Sequence, residues 1–254
     1  MLFDTHAHYD DAKLDGIRDE LLAQMQENGI DFIVNAGVNI ETGVNSRSLA
    51  ETYPFVYYAA GIHPSDAPVI ADRQGTVDSL KELLAHKKAV ALGEIGLDYH
   101  YEPETSSVQK EWFDFQLSLA EELKLPVIVH DREAHGDCMD IVRAHPNVRG
   151  VFHSYSGSVE MAKELLRRGW LLSFTGVVTF KNAHRVAEVV TYVPLDRLML
   201  ETDCPYLTPH PHRGELNSSL YLHYIAEKIA EIKCIDYHEV CQTTTQNART
   251  FFGI

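Results

Sequence analysis

The chain has 254 residues, 45% of them hydrophobic and 23% charged, which suits an ordinary globular protein with one domain over residues 1–254. Its formal net charge of −15 argues against a protein that coats nucleic acid through a basic surface, because phosphate contacts dominate such binding. No apolar run reaches the ~18 residues of a membrane span and no signal peptide is recognisable, so we expect a cytoplasmic protein with no membrane partner. The four cysteines form no Cys-x-x-Cys pair, so we expect them to be free thiols.

Short strand-like segments alternate with helix-like segments along the chain. The strand-like segments are rich in Val, Ile, Leu and Phe and are mostly apolar on both faces, as parallel strands covered by helices are. They lie at residues 2–5, 32–35, 56–60, 89–92, 127–129, 150–152, 171–174 and 198–200. Apolar side chains recur at helical spacing in residues 15–28, 107–124 and 159–168.

Eight strand–helix alternations in a chain of this length predict an α/β fold of the TIM (β/α)8 barrel type. A doubly wound open sheet is the alternative. Its dinucleotide-binding version is disfavoured because no Gly-x-Gly-x-x-Gly follows the first strand. Catalytic side chains of a barrel lie at the carboxyl ends of its strands, so the residues that follow each strand are the candidates for a site.

In chain order, five of the eight predicted strands end in a His, Glu or Asp directly after the apolar run. The candidates are His6, His8, Glu94, His130, His153 and Asp203. The i, i+2 spacing of the first two places both imidazoles on one side of their strand. Four imidazoles and two carboxylates are too many ligands for one metal ion with an open position, and they suit two ions. We expect Glu94 to bridge the ions, with His6, His8 and Asp203 on one and His130 and His153 on the other.

Other polar residues near the strand ends allow two interpretations each. His63 is either a substrate-binding residue or a loop histidine, and Asp98 either orients a ligand or caps the following turn. Arg132 and Arg213 either bind a phosphate or form surface ion pairs. Glu201 follows the last apolar run, and we expect it to point away from the barrel pore rather than to bind a metal.

At these residues the chain resembles the TatD family of metal-dependent deoxyribonucleases, within the amidohydrolase-like barrels. The resemblance spans essentially the whole chain, and its segments are residues 3–10 (FDTHAHYD), 61–64 (GIHP), 93–99 (GEIGLDY), 130–135 (HDREAH), 152–157 (FHSYSG) and 200–209 (LETDCPYLTP). It implies a TIM barrel whose metal ligands match the six candidates above. It also implies divalent-metal-dependent hydrolysis of phosphodiester bonds, with DNA as the usual substrate.

Two positions depart from the family pattern. Residues 215–219 (ELNSS) stand where members have a run of the type Arg/Lys-Asn-Glu-Pro, so a loop near the site is less basic. Cys204 stands where a small Ala or Ser is common. The first departure bears on how strongly the protein binds DNA, and we expect little effect from the second.

We therefore expect a metal-activated hydrolase that cuts DNA, as a transient substrate, near an end. Asp203 and Glu94 are the predicted catalytic residues, and His63, Arg132 and Arg213 are the predicted phosphate contacts. The predicted cofactors are two divalent ions (Mg, Mn or Zn). Two alternatives stay open: a hydrolase of another phosphodiester, an amide or a lactone on the same scaffold, and a non-catalytic protein with structural metals. The second is disfavoured because structural zinc sites are usually rich in cysteine.

Overall fold

The computed structural model describes residues 1–254 and contains eight parallel strands surrounded by helices. Strands β1 to β8 are Leu2–Ala7, Ile30–Gly37, Val56–Ala60, Ala89–Asp98, Val127–Arg132, Gly150–Phe152, Leu171–Phe174 and Leu198–Leu200. Helices α1 to α9 are Arg18–Ala23, Ile40–Thr52, Arg73–Leu84, Ser106–Leu123, His135–Ala144, Val159–Arg167, His184–Tyr192, Leu222–Lys233 and Tyr237–Phe252. None of the helices combines the length and the apolar composition that a membrane span requires.

The strands are hydrogen-bonded in the order of the sequence, from β1 to β8. The first strand and the segment after the last one are also joined, because the amide of Asp203 donates to the carbonyl of His6 at 2.9 Å and the amide of His8 donates to the carbonyl of Cys204 at 2.8 Å. The sheet therefore closes on itself. This confirms the predicted TIM barrel, and the alternative of an open doubly wound sheet is wrong.

The apolar part of each strand lies where the sequence predicts it, but four strands run further at their carboxyl ends, and in three of them the extension contains candidate ligands. β4 continues from residue 92 to Asp98, β5 continues to Arg132, and β1 continues to Ala7. In these extensions inward-facing polar side chains replace apolar ones, so hydrophobicity alone does not mark them as strand. The candidate ligands Glu94, His130 and His6 consequently lie within strands rather than in the loops after them.

The helix predicted over residues 15–28 is wrong in its extent. Only Arg18–Ala23 is helical, and a 3₁₀ turn lies on each side of it. Gly16 adopts a left-handed backbone with φ of 81°, so regular helix cannot run through it. The segment still buries Leu22 and Met25, because apolar residues at helical spacing can also be buried by a series of turns. The other two predicted helices are present, as α4 and α6.

The amino end of the barrel is filled by apolar side chains, with one contributed by most of the strands and three by α9. This group consists of Phe3, Val34, Ala59, Val90, Ala91, Ile128, Val151, Leu171, Met199, Ala248, Phe251 and Phe252. The ring centroids of Phe3 and Phe252 are 5.8 Å apart. The end of α9 thus closes the amino end of the barrel, and the polar candidates occupy the opposite end.

Candidate metal centre

All six predicted ligands converge at the carboxyl end of the barrel. They come from β1, β4 and β5 and from the segments directly after β1, β6 and β8. The Nε2 atoms of His6 and His8 are 3.1 Å apart, because strand alternation directs both rings inward. The Nδ1 atom of His8 lies 2.9 Å from the carbonyl of Ala36, which fixes the direction of its ring.

The first group of ligand atoms is His6, His8 and Asp203, together with one oxygen of Glu94. Asp203 Oδ1 is 3.8 Å from His6 Nε2 and 3.3 Å from His8 Nε2. Glu94 Oε2 is 3.2 Å and 3.7 Å from the same two nitrogens. Two imidazole nitrogens and two carboxylate oxygens therefore face one point.

The second group surrounds the other oxygen of Glu94. Oε1 lies 2.7 Å from His130 Nδ1 and 2.8 Å from His153 Nε2, and these two nitrogens are 3.2 Å apart. Each oxygen of the Glu94 carboxylate thus faces a different set of histidines, which is the arrangement a bridging ligand requires. These distances are compatible with the division of ligands expected from the order of the strands, although His6 and His153 also lie close together, with ring centroids 4.1 Å apart. The assignment of each group to an ion stays a proposal.

His63 lies within reach of the second group. Its Nε2 atom is 3.6 Å from Glu94 Oε1, and its ring centroid is 4.6 Å from that of His130. Burial lowers the pKa of His63 to about 3, so the imidazole is neutral near pH 7. The sequence allowed two interpretations of His63, and the structure places it beside the candidate ligands rather than in a distant loop. Its position just after β3, at the carboxyl end of a barrel strand, is the sequence feature that favours a place near the site.

The electrostatics of the cluster favour positive charge. Burial opposes ionisation of Glu94, but the charges of His153, His6 and the other surrounding histidines hold its pKa well below the usual range. Burial also opposes protonation of His8, but its contact with Asp203 outweighs this and raises its pKa to about 9. The buried carboxylates thus stay ionised and attract cations to the point between the rings.

The donor set fits divalent metal ions. Three sets of side chains have ligand atoms within 4.8 Å of one another, and they are His6, His8 and Asp203; His6, Glu94 and His153; and His63, Glu94 and His130. Imidazole nitrogens at 3.1–3.2 Å from each other direct lone pairs at a common point, and a cation placed there accepts all of them. Mixed imidazole and carboxylate ligands suit zinc, manganese, cobalt or iron.

Asp98 contacts His130 of the second group at the ring nitrogen that does not face Glu94. Its Oδ2 atom is 3.1 Å from His130 Nε2, while its Oδ1 atom accepts the amides of His100 and Tyr101 at 2.9 and 3.1 Å. Burial would raise the pKa of this carboxyl, but the hydrogen bond from His130 outweighs it and lowers the pKa to about 2. Both interpretations of Asp98 are therefore correct, because one side chain orients a histidine and caps the next turn.

Glu201 does not face the two groups, as expected, but it contacts one of their members. Its side chain is buried and accepts hydrogen bonds from the amide of Ser154 and the hydroxyl of Ser173. Its Oε1 atom is 3.5 Å from the buried Nδ1 atom of His153, which has no hydrogen-bond partner. Glu201 thus contacts the ring nitrogen of His153 that does not face Glu94 and helps to orient that ring, a role that the sequence did not reveal.

Asp4 is a further residue that sequence reasoning missed. Its carboxylate accepts hydrogen bonds from the amide and hydroxyl of Thr202 and from the hydroxyl of Ser219. Complete burial outweighs these bonds and raises the pKa of Asp4 to about 7. The network ties the strand of His6 to the residue before Asp203. An acidic residue inside the apolar run of β1 is the signal that could have identified it.

A cavity of about 1330 Å³ opens above the two groups. Arg132 is the only lysine or arginine in its lining, and its guanidinium lies 4.8 Å from the centroid of the Tyr101 ring. Arg213 does not line the cavity, because its guanidinium packs 3.9 Å from the centroid of Phe180. Eight carboxylates line the cavity, and they belong to Asp10, Asp11, Glu41, Glu94, Asp98, Glu102, Asp131 and Asp203.

Sequence comparison identifies close relatives along the whole chain. Residues 3–253 match the sequence model of the family described as TatD related DNase. YabD of Bacillus subtilis (strain 168), described as an uncharacterized metal-dependent hydrolase, is 42% identical over 256 residues, which cover all of both chains. YcfH of Escherichia coli (strain K12), described in the same words, is 36% identical over 259 residues, which cover all of this chain and 96% of the relative.

Solved structures show the same architecture. YJJV, a TatD homolog from Escherichia coli K12, superposes with a TM-score of 0.91 at 28% identity, covering 100% of this chain and 98% of that one. A TatD family hydrolase from Entamoeba histolytica gives a TM-score of 0.88 at 21% identity, covering 99% of this chain and 97% of that one, which shows a shared fold. With the family model matching nearly the whole chain and the metal-dependent hydrolases aligned along its full length, the protein belongs to the TatD family of metal-dependent hydrolases.

Proposed function

We propose that this protein is a divalent-metal-dependent deoxyribonuclease that hydrolyses phosphodiester bonds of DNA near a strand end. The observation that carries the proposal is the position of Glu94 between two groups of ligands, one at each carboxylate oxygen. Two ions that share a carboxylate suit the in-line displacement of a phosphodiester, because they stabilise both the attacking and the leaving oxygen. The match to TatD related DNases supports DNA as the substrate.

In this proposal His6, His8 and Asp203 would hold one ion, and His130 and His153 would hold the other. Glu94 would contribute one carboxylate oxygen to each group, because its two oxygens face different histidines. We propose Mn, Zn or Mg as the ions, and the imidazole-rich donor set favours Mn and Zn for tight binding. When bound, such ions supply Lewis acidity that activates water and neutralises charge on the phosphoryl oxygens.

The side chains then have distinct tasks. Asp203 is ionised, because its contact with His8 lowers its pKa despite burial, and a carboxylate oxygen can accept the proton of the attacking water. Neutral His63 can donate a hydrogen bond to a non-bridging phosphate oxygen beside Glu94. Arg132 at the cavity rim can pair with a neighbouring phosphate. Arg213 stays outside the proposal because it packs on Phe180.

The charge distribution supports attack at a single phosphate near a strand end. Two divalent ions bring four positive charges, against two negative charges from Glu94 and Asp203, in a chain with a net charge of −15. Anions are thus attracted to the ions and not along the surrounding surface. A long duplex held against a basic groove does not suit this distribution.

The test uses purified protein loaded separately with Mg²⁺, Mn²⁺ or Zn²⁺ and verified by elemental analysis. We expect stepwise shortening of end-labelled oligonucleotides, and its loss on chelation with EDTA. Glu94→Gln should reduce the rate by more than the ~10–100-fold typical of changes outside the first coordination sphere. Glu160→Gln is the matched control, because that side chain is 80% exposed and does not line the cavity.

Two results would contradict the proposal. One is the absence of cleavage with every metal in protein that verifiably carries its ions. The other is cleavage that Glu94→Gln leaves unchanged. A parallel panel of nitrophenyl phosphodiesters, amides and lactones then identifies which bond the site hydrolyses instead.

A further inference from the structure

Two exposed tyrosines line the cavity above the metal-binding groups. The exposed fraction is 68% for Tyr101 and 42% for Tyr206, and both residues are part of the cavity lining. Among the aromatic residues, Tyr192 is the third with a large exposed fraction, and it lies on α7, away from this cavity. Exposed aromatic rings are thus concentrated at the mouth of the candidate site.

The two tyrosines stand on opposite walls of the mouth. Tyr101 lies three residues after Asp98 at the end of β4, and Tyr206 lies three residues after Asp203, beyond β8. In a closed ring of eight strands in sequence order, β4 and β8 are four strands apart and face each other. A ligand held between the two metal-binding groups therefore has one tyrosine on each side.

A cation accompanies each ring. The guanidinium of Arg132 is 4.8 Å from the centroid of Tyr101, and the ammonium of Lys13 is 4.0 Å from the centroid of Tyr206. The Tyr206 hydroxyl donates to Asp11 at 2.6 Å, which fixes the plane of that ring. Each cation lies over one face of its ring, so a base stacks on the opposite face while a phosphate next to that base pairs with the cation, as in proteins that bind unpaired nucleotides.

Both rings are anchored to the metal-binding groups by short links. The amide of Tyr101 donates to Asp98, whose other oxygen contacts His130. The amide of Tyr206 donates at 2.9 Å to the carbonyl of Asp203. Each ring is therefore held about one turn of chain from Asp98 or Asp203, close enough to the candidate ligands for a base next to the reacting phosphate.

We propose that Tyr101 and Tyr206 are stacking platforms for the two nucleobases that flank the scissile phosphate. Arg132 and Lys13 then contact the adjoining phosphates. The cavity of about 1330 Å³ exceeds the ~300–1,000 Å³ typical of drug-sized ligands, so it has room for a dinucleotide step. The inference rests on the proposed function and specifies its substrate as a strand whose bases are unpaired at the cleaved step.

The stacking requirement excludes an intact duplex at the cleaved step. Bases in a duplex are stacked on each other and present no free face to a tyrosine. Eight carboxylates in the lining also disfavour a long anionic chain beyond this step. The substrate form that satisfies both conditions is a single strand or a frayed end.

The experiment measures binding and cleavage separately. Fluorescence anisotropy with Ca²⁺ gives the dissociation constant of a labelled single-stranded oligonucleotide, and kcat/KM is measured with Mn²⁺. Tyr101→Leu and Tyr206→Leu should each weaken binding by about 5-fold to about 150-fold, the range for loss of one base–aromatic stack. Tyr192→Leu is the matched control, because that exposed tyrosine also has a lysine over its ring and lies outside the cavity.

Substrate changes provide the complementary measurement on wild-type protein, which does not depend on how the variants fold. An oligonucleotide with an abasic site on one side of the scissile step should bind as weakly as the intact strand binds to one tyrosine variant. The variant that lacks the matching ring should then show no further loss on the abasic strand.

The outcomes separate the two proposals. Cleavage of oligonucleotides with no effect of either tyrosine or of the abasic sites overturns the stacking inference alone. Tyrosine-dependent binding without cleavage supports the stacking platforms and overturns the proposed nuclease activity. The absence of both binding and cleavage overturns both.

Discussion

At the scale of single residues, the environment of His130 is the most informative. Its Nε2 atom faces Asp98 and its Nδ1 atom faces Glu94. A proton on Nε2 that is donated to Asp98 leaves the lone pair on Nδ1, which faces the second group. Carboxylates in this position fix the tautomer and ring orientation of metal-binding histidines and raise their basicity. Asp98 therefore influences the second group of ligands without being part of it.

We predict that Asp98→Asn lowers metal affinity or activity by about 10–100-fold. The amide side chain keeps an oxygen for the amides of His100 and Tyr101 but removes the negative charge beside His130. Metal content after dialysis and kcat with saturating Mn²⁺ measure the effect.

Asp114→Asn is the control for this prediction. That exposed carboxylate pairs with His145 at 2.8 Å. The pair is again an aspartate with a histidine, as in Asp98 and His130, but it does not line the cavity. Equal metal content and equal kcat in wild type and Asp98→Asn would contradict the argument.

The residues that sequence reasoning could identify share one property. His6, Glu94 and His130 each come at the end of a predicted apolar strand, and a barrel brings such positions together. Asp4 and Glu201 have partners that are remote in the chain, such as Ser219 for Asp4. Hydrogen bonds of that kind depend on the packing of several elements, and no local pattern specifies them.

At the scale of elements, helix α9 has a structural task distinct from the site. Its last residues, Phe251 and Phe252, are buried against Phe3 and neighbouring side chains inside the barrel. Gly253 follows with a left-handed φ of 73° and ends the helix at this point. The helix acts as a plug for the amino end of the barrel, opposite to the cavity.

We predict that Phe252→Ala lowers the free energy of unfolding by about 3–5 kcal/mol, because it removes a large side chain from a packed core. Urea denaturation followed by circular dichroism measures the loss. Metal content and kcat of the folded variant should stay at wild-type values, since the plug and the site lie at opposite ends.

Val69→Ala is a suitable comparison, because Val69 is 78% exposed and its truncation should change stability by no more than ~0.5 kcal/mol. A Phe252→Ala protein as stable as wild type would refute the assignment of α9 as a plug.

Helix α2 shows why some elements escaped prediction. The residues it buries are Gly43, Ser46 and Ala50, which are small and give no hydrophobic periodicity. A Cβ atom on Gly37 would lie 2.8 Å from the Cα atom of Gly43, so the helix packs close to β2. Close packing through small residues leaves no periodic pattern of large apolar side chains in the sequence. The eight-strand pattern still predicted the barrel, because the strand runs are strongly apolar.

At the scale of the whole molecule, the distribution of charge limits how the proposed deoxyribonuclease attracts DNA. The net charge is −15, and the cavity lining has eight carboxylates but only one arginine. In the proposed function, attraction of phosphate is thus confined to the candidate metal-binding groups and to the two cations over the exposed tyrosines. Few counterions should then be released when a strand binds.

We predict a shallow salt dependence of oligonucleotide binding. Two phosphate contacts, from Arg132 and Lys13, give a slope of about −1.4 in a plot of log K against log salt for a single strand. Affinity for the labelled strand in Ca²⁺ should then fall by about sevenfold between 50 and 200 mM salt.

Lys13→Gln should make this slope shallower by about 0.7, because it removes one contact. Lys228→Gln should leave it unchanged, since that lysine pairs with Glu231 on α8. A slope of about −5 or steeper in wild type would mean that a basic surface elsewhere binds the strand.

The closure of the barrel has a consequence for how the protein matures. The first group of ligands joins His6 and His8 from the first strand to Asp203 beyond the last, across the seam made by the Asp203–His6 and His8–Cys204 main-chain bonds. On the ribosome, a nascent chain has its two histidines long before the aspartate that completes their group. An ion held by that group would therefore bind only after Asp203 has docked beside β1, and its retention would report that the ring has closed.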